Sequence, residues 1–311
     1  MEKLKVVFMG TPTFSVPVLE QLINETNVVL VVSQPDREKD RKGNVLPTPT
    51  KKLAIENNIE VYQPTKIKES YEKIVSIKPD MIITCAYGQI IPEIILNCAK
   101  YGCINVHGSL LPKLRGGAPI HHAIINGDKK TGITIMYMDK KMDAGDIINQ
   151  ESIDILDSDN LDSLYEKMSQ LGAKLLIETI PSIVDGTCTR TKQDTSKVTF
   201  GYNITKEEEK LDFLKNSKEI HNKIRGLSSV PGAYCLFENK RLKVYQSELT
   251  GKKSSVQPGT IIDIDKTGIY VSTDDNIIKL TDIKLEGKKR CHVKEFINGI
   301  KKEEYIGKVL K

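Results

Sequence analysis

Residues 81–86, Met81-Ile82-Ile83-Thr84-Cys85-Ala86, and residues 103–112, Cys103-Ile104-Asn105-Val106-His107-Gly108-Ser109-Leu110-Leu111-Pro112, decide the architecture of the first half of the chain. Each opens as a short apolar run of strand length, and residues 92–100 between them read as a helix. Strand, helix and strand in that order make neighbouring parallel strands joined by a crossover. Working outward, residues 4–9, 28–32 and 132–138 repeat the strand pattern, and residues 17–24, 51–57 and 71–77 the helical one. The predicted first domain is an α/β, Rossmann-like open, mostly parallel sheet covered on both faces. Ligands of such sheets gather at the carboxyl ends of the strands, which is where Asn105 and His107 run out into a loop.

Further along, Leu161, Leu164, Tyr165, Met168, Leu171, Leu175 and Ile180 recur at three- and four-residue steps, with Asp157, Ser158 or Asp159 to cap them. This predicts a long amphipathic helix over residues 160–184. The composition then turns polar. We expect a catalytic domain over residues 1–189, a linker over 190–205, and a second domain over 206–311. The second domain opens with a charged helical stretch, 206–224, followed by short strands at 233–238, 241–247, 259–265, 268–272 and 277–283, the pattern of a small β-barrel.

A chain of 311 residues holds material for two cores, and no apolar run approaches the ~18 residues of a membrane span. A cytoplasmic protein is expected. The six cysteines form no C-x-x-C pair, so neither a disulfide framework nor a zinc site is expected. The net charge of +5 is uneven: residues 206–311 carry 22 Lys plus Arg against 16 Asp plus Glu. A basic C-terminal third suits an anionic partner such as nucleic acid, although a mildly basic solvated face is the commoner explanation.

Asn and His two residues apart at a strand end bring an amide that donates hydrogen bonds and an imidazole that donates or accepts near neutral pH. Asp143, in Met142-Asp143-Ala144-Gly145-Asp146, is either a local turn residue or, if its loop points at His107, the carboxylate that orients the ring; Asp146 competes for that role. Gly10-Thr11-Pro12 is a β-to-α turn that could approach an anion, but it is not a dinucleotide fingerprint. Arg115, in Leu114-Arg115-Gly116-Gly117-Ala118-Pro119, suits a substrate or a structural ion pair, and the adjacent His121 and His122 diverge on a helix and read as non-catalytic. Residues 37–52 form a basic, mobile-looking loop near the sheet's carboxyl edge, fit either for solvent or for a phosphate backbone.

Taken with Phe8-Met9-Gly10-Thr11-Pro12, Ser33-Gln34-Pro35-Asp36-Arg37, Ala86-Tyr87-Gly88 and Arg115-Gly116-Gly117-Ala118-Pro119-Ile120, these motifs resemble the methionyl-tRNA formyltransferase family over essentially the whole chain. The resemblance implies transfer of a formyl group from 10-formyltetrahydrofolate, a co-substrate, to the α-amino group of methionine on initiator tRNA, with no metal. It implies Asn105, His107 and Asp143 as the catalytic trio. It implies Ser109, Leu110, Leu111 and Pro112 at the folate site, with Tyr87, Gly88, Gln89, Ile90, Ile91 and Pro92 lining the pterin pocket. Arg37, Arg41 and Lys42 correspond to the family's tRNA-acceptor loop, in which Lys42-Gly43-Asn44 departs from the more basic pattern, and the C-terminal domain corresponds to an OB-like barrel. A monomer without membrane contact is expected. Two alternatives stay open: a relative that formylates a small amine or hydrolyses formyl-folate, and an RNA-binding module on an inactive α/β domain.

Overall fold

The apolar runs of the first half become strands. The structure, a computed structural model, describes residues 3–40 and 42–311. The chain runs β1 (Lys5–Gly10), α1 (Val16–Glu25), β2 (Asn27–Val32), α2 (Pro49–Glu56), β3 (Val61–Tyr62), α3 (Glu72–Ile77), β4 (Met81–Cys85), α4 (Glu93–Leu96), β5 (Cys103–His107), α5 (Pro119–Ile125), β6 (Lys130–Tyr137), β7 (Ile147–Asp154) and α6 (Leu161–Val184). The sheet order is β3-β2-β1-β4-β5-β6-β7. The first five strands are parallel, and β6 and β7 are added antiparallel. β1 and β4, in the middle, are buried from Val6 to Gly10 and from Met81 to Cys85, which is why they read as unbroken apolar runs. α4 is a single turn, shorter than the helix expected over residues 92–100.

Alternation along β5 fixes which residues face the site. A Cβ at Gly172 of α6 would lie 2.9 Å from the Val106 side chain, so Val106 faces the helix, packed against a position that only glycine leaves open. Asn105 and His107, one residue to either side, therefore share the opposite face.

Two compact units emerge. The first comprises residues up to Pro119, Lys130–Asp154 and Tyr165–Tyr202; the second comprises Ile120–Lys129, Ile155–Leu164 and Asn203–Lys311. This differs from the expected division at 189 and 205 in both directions. Residues 190–202 are not a free connector: Thr191 and Ile147 exchange backbone hydrogen bonds, as do Arg115, Thr199 and Gly201. Residues 155–164 belong with the second unit because the buried Arg225 guanidinium donates to the carbonyls of Leu156 (3.1 Å) and Asp159 (2.9 Å).

The second unit continues with α7 (Ser217–Leu227), β8 (Ala233–Phe237), β9 (Lys240–Lys253), β10 (Ile261–Asp265), β11 (Gly268–Ser272), β12 (Asn276–Leu285), β13 (Cys291–His292) and α8 (Val293–Phe296). Its antiparallel sheet has the order β10-β11-β12-β9-β8, with β13 on β12. The last residues close it: Lys308 and Leu310 bond to Ile261 and Gly259 on one side, and Lys311 exchanges two hydrogen bonds with Leu236 of β8 on the other. Leu211, Ile224, Val244, Ile264, Leu280 and Leu310 fill the interior. The helix expected over 206–224 starts only at Ser217, where Asn216 and Glu219 form a reciprocal capping box. Among the described residues no helix is long and apolar enough to cross a membrane. All six cysteines are free thiols, and burial pushes that of Cys85 up to about 12.

Candidate active site

Asn105 and His107 lie on β5 itself, paired with Met136 and Thr134 of β6. Thr84 of β4 donates to Asn105 Oδ1 at 2.8 Å, so the amide is turned with its N–H groups as the donors it has left to offer. His107 is 6% exposed, and both ring nitrogens face oxygen atoms: Nε2 lies 3.1 Å from Leu114 O, and Nδ1 lies 3.8 Å from Asp143 Oδ2. The first contact is a hydrogen bond. The second is too long for one, the loose geometry common where a catalytic contact tightens around substrate.

Asp143 comes from the turn between β6 and β7 with φ +48°, a left-handed conformation that Asp tolerates. Its Oδ2 accepts from Gly116 N at 2.8 Å. Gly116 has φ +120°, and a Cβ there would lie 2.7 Å from Gly201 O, so the donor can only be glycine. The structure thus brings His107 and Asp143 together, as expected. Asp146 instead pairs with Arg190 at 3.1 Å. Arg115 makes no ion pair among the described residues; its guanidinium donates to Gln193. Burial lowers the pKa of His121 to about 4, in keeping with a non-catalytic histidine.

The two segments expected at the folate site are built differently. Ser109 to Pro112 form a braced turn: Thr134 Oγ1 donates to Ser109 O and accepts from Leu111 N, and Gln150 Nε2 donates to both Thr134 Oγ1 and Leu111 O. Ser109 Oγ donates to Lys113 O at 2.6 Å, so its hydroxyl shapes the turn. Leu111 is buried, while Leu110 and Pro112 are half-buried. After β4 the chain turns at Ala86 and Gly88, both at positive φ. Tyr87 and Ile91 are buried and Ile90 is 87% exposed, so this loop offers main chain and one bare aliphatic side chain, a surface suited to a flat heterocycle. Gln89 accepts from Ile67 N, and Pro92 precedes α4.

The basic loop is a small hairpin. Lys39 pairs with Val45, and Asp40 accepts from the amides of Lys42 and Asn44 around Gly43. Arg37 and Lys42 are exposed; Arg41 lies outside the described residues. The neck is held by Asp36, which accepts from Lys51, Gln63 and Thr48 N. Burial works against its charge, but these hydrogen bonds outweigh it and hold the carboxyl below the usual range. Sequence reasoning missed Thr84 and Gln193. Thr84 had a signal, the one hydroxyl in a buried apolar strand; Gln193 had none. Among the described residues no group of His, Cys, Asp and Glu converges as a metal-holding cluster.

An open α/β sheet with a fixed amide beside an imidazole and a carboxylate, at the carboxyl end of its central strands, has the equipment of an acyl-type group transferase. The sequence profile of formyl transferases matches residues 3–180, and that of the formyl transferase C-terminal domain matches residues 203–301. A methionyl-tRNA formyltransferase from a Geobacillus species is 51% identical over 300 residues, covering 95% of this chain and 94% of that one. Among solved structures, an N-formyltransferase from Helicobacter canadensis in complex with folinic acid and dTDP-3-aminofucose has a TM-score of 0.66 at 23% identity, covering 90% of this chain and 99% of that one. HypX from Aquifex aeolicus in complex with tetrahydrofolic acid has a TM-score of 0.66 at 16% identity; 97% of this chain is covered, and the chain spans about half the length of HypX, 49%. These two share the fold. The chain belongs to the methionyl-tRNA formyltransferases of the formyl transferase family.

Proposed function

We propose that this chain transfers the formyl group of 10-formyltetrahydrofolate to the α-amino group of methionine esterified to initiator tRNA. The observation that carries the reading is the grouping of Asn105, His107 and Asp143 around one strand end, with His107 Nδ1 3.8 Å from Asp143 Oδ2. Relatives about half identical over nearly the full length are methionyl-tRNA formyltransferases, which supports the acceptor. The two solved relatives are complexes with tetrahydrofolic acid and with folinic acid, which supports the donor class.

The donor supplies a formyl carbon bonded to a nitrogen. A C–N bond forms to the methionine nitrogen, the bond to the folate nitrogen breaks, and the proton lost by the amine is balanced by one gained by the leaving nitrogen. Asn105, its carbonyl held by Thr84, donates to the formyl oxygen as charge develops there. His107 sits beside it and exchanges its bond to Leu114 O for one to the reacting atoms. Asp143 fixes the orientation of the ring. Holding two bound molecules in register supplies much of the acceleration. Arg37, Arg41 and Lys42 of the basic stretch 37–52, and the basic residues of the second unit, bind the tRNA phosphates. The same reading has the enzyme act as a monomer in the cytoplasm.

The test offers 10-formyltetrahydrofolate with charged initiator tRNA, and separately with small phosphorylated or sugar-nucleotide amines. Formylation of the tRNA is expected, and Asp143→Asn and His107→Ala are each expected to cut turnover by about 100-fold or more in folded protein. Formylation of a small amine in place of tRNA defeats the acceptor assignment, and near-normal rates in the variants defeat the trio.

A further inference from the structure

We infer that Gln193 is a positioning residue of this site, a neutral clamp that sets Asp143 against His107 by tying the turn of Asp143 to the loop of Arg115. The inference rests on the reading of Asn105, His107 and Asp143 given above. Gln193 Oε1 accepts from Arg115 Nε at 3.1 Å and Nη2 at 2.7 Å, while Gln193 Nε2 donates to Asp143 O and Gly145 O, both at 2.8 Å. All four bonds of the amide go to the two loops that meet at the site. A guanidinium only donates and carbonyls only accept, so the partners fix which end of the amide is which. No other side chain of that length accepts at one corner and donates twice at the other: Glu cannot donate, and Lys cannot accept.

The clamp is built on a fixed support. Thr191 exchanges backbone bonds with Ile147, just beyond the Asp143 turn, and Thr199 and Gly201 bond to the backbone of Arg115 and Ala118. Gln193 hangs between these attachments, half-buried. The carboxylate it serves is held from the other side by Gly116 N, the residue after Arg115. Arg115, Gly116, Asp143 and Gln193 thus close a ring of hydrogen bonds around the one turn whose position sets the 3.8 Å contact with His107 Nδ1. A misplacement of about 1 Å in such a group costs on the order of 100-fold in rate.

The experiment compares Gln193→Ala, Gln193→Glu and Asp143→Asn in the full-length protein by steady-state kinetics with both substrates, which separates kcat from KM, and by thermal unfolding. Gln193→Glu retains the acceptor for Arg115 and replaces the two donors to the Asp143 turn with a carboxylate oxygen that those carbonyls repel, so it breaks the clamp at one end only and serves if Gln193→Ala fails to fold. Both Gln193 variants are expected to lower kcat by about 10- to 100-fold with KM for either substrate within about twofold. A rate within twofold of the parent for Gln193→Glu overturns the inference. So does a loss carried in KM rather than in kcat. If Asp143→Asn collapses turnover while Gln193 variants are normal, only the clamp fails; if Asp143→Asn is itself near normal, the site reading fails.

Discussion

Tyr87 carries a hydroxyl to which the fold gives no hydrogen-bond partner among the described residues. The side chain is 4% exposed, in an apolar cluster with Val7, Leu30, Ile74 and Ile91, and burial pushes its phenol pKa well up. An unpaired buried hydroxyl costs about 1–3 kcal/mol. Tyr87→Phe is therefore expected to be neutral or to stabilise by up to about 1 kcal/mol in urea unfolding; a loss of that size or more would reveal a partner for the hydroxyl. The motif around Tyr87 pointed to the ligand side of the sheet, yet its ring went to the core, because the left-handed turn at Ala86 swings the chain after five buried residues of β4. Asn105 and His107 were legible in the sequence because a spacing of two in a strand puts both on one face. Asp143 was legible from its own surroundings as either a turn residue or the carboxylate for His107, and only the resemblance chose between them. Gln193 was not legible at all: its partners are two main-chain carbonyls and an arginine 78 residues away, and none of them leaves a mark on the local sequence.

At the scale of elements, α7 builds a pH dependence into the second unit. His221 Nδ1 lies 2.9 Å from Ser247 Oγ of β9, and burial, then the charges of Arg225 and Lys218, lower its pKa to about 4, with Asp157 opposing. A histidine depressed in the folded state is protonated first in the unfolded chain, so its contribution is complete above about 6.5 and is lost as pH falls through 4. The loss is on the order of 2–3 kcal/mol. His221→Gln should flatten the decline of Tm between those values, and an unaltered slope would remove His221 as its cause. The elements misjudged from sequence share a physical reason. β7 was not expected because it is an edge strand with Asn149, Gln150 and Glu151 in place of apolar alternation. Residues 206–216 looked helical by charge pattern, but Leu211 and Glu209 pair with Tyr234, and that tertiary pairing stops the helix until Asn216 caps a new one. α4 stops after one turn, where the Asn97 amide bonds back to Glu93. Long buried strands and the amphipathic α6 declared themselves because their periodicity alone determines them.

The whole molecule is two cores of unlike construction, a layered sheet whose parallel part was foreseeable and an antiparallel barrel that was foreseeable as a barrel but not in the residues that close it. Closure depends on the final residues, which carry no strand-like pattern and earn their place by filling both open edges. Leu310 is 3% exposed in that seam. Leu310→Ala is expected to destabilise the second unit by about 2–4 kcal/mol, read by denaturant unfolding, and a change below about 0.5 kcal/mol would mean that the seam is not part of the cooperative core. The amide and carbonyl of Lys311 both belong to a ladder with Leu236. Any chain that continues from Lys311, including an affinity tag, a fluorescent reporter or a surface-coupling handle, emerges from a paired strand. A rigid fusion at that point would pull on the barrel seam, and a few flexible spacer residues are the engineering requirement for leaving it shut.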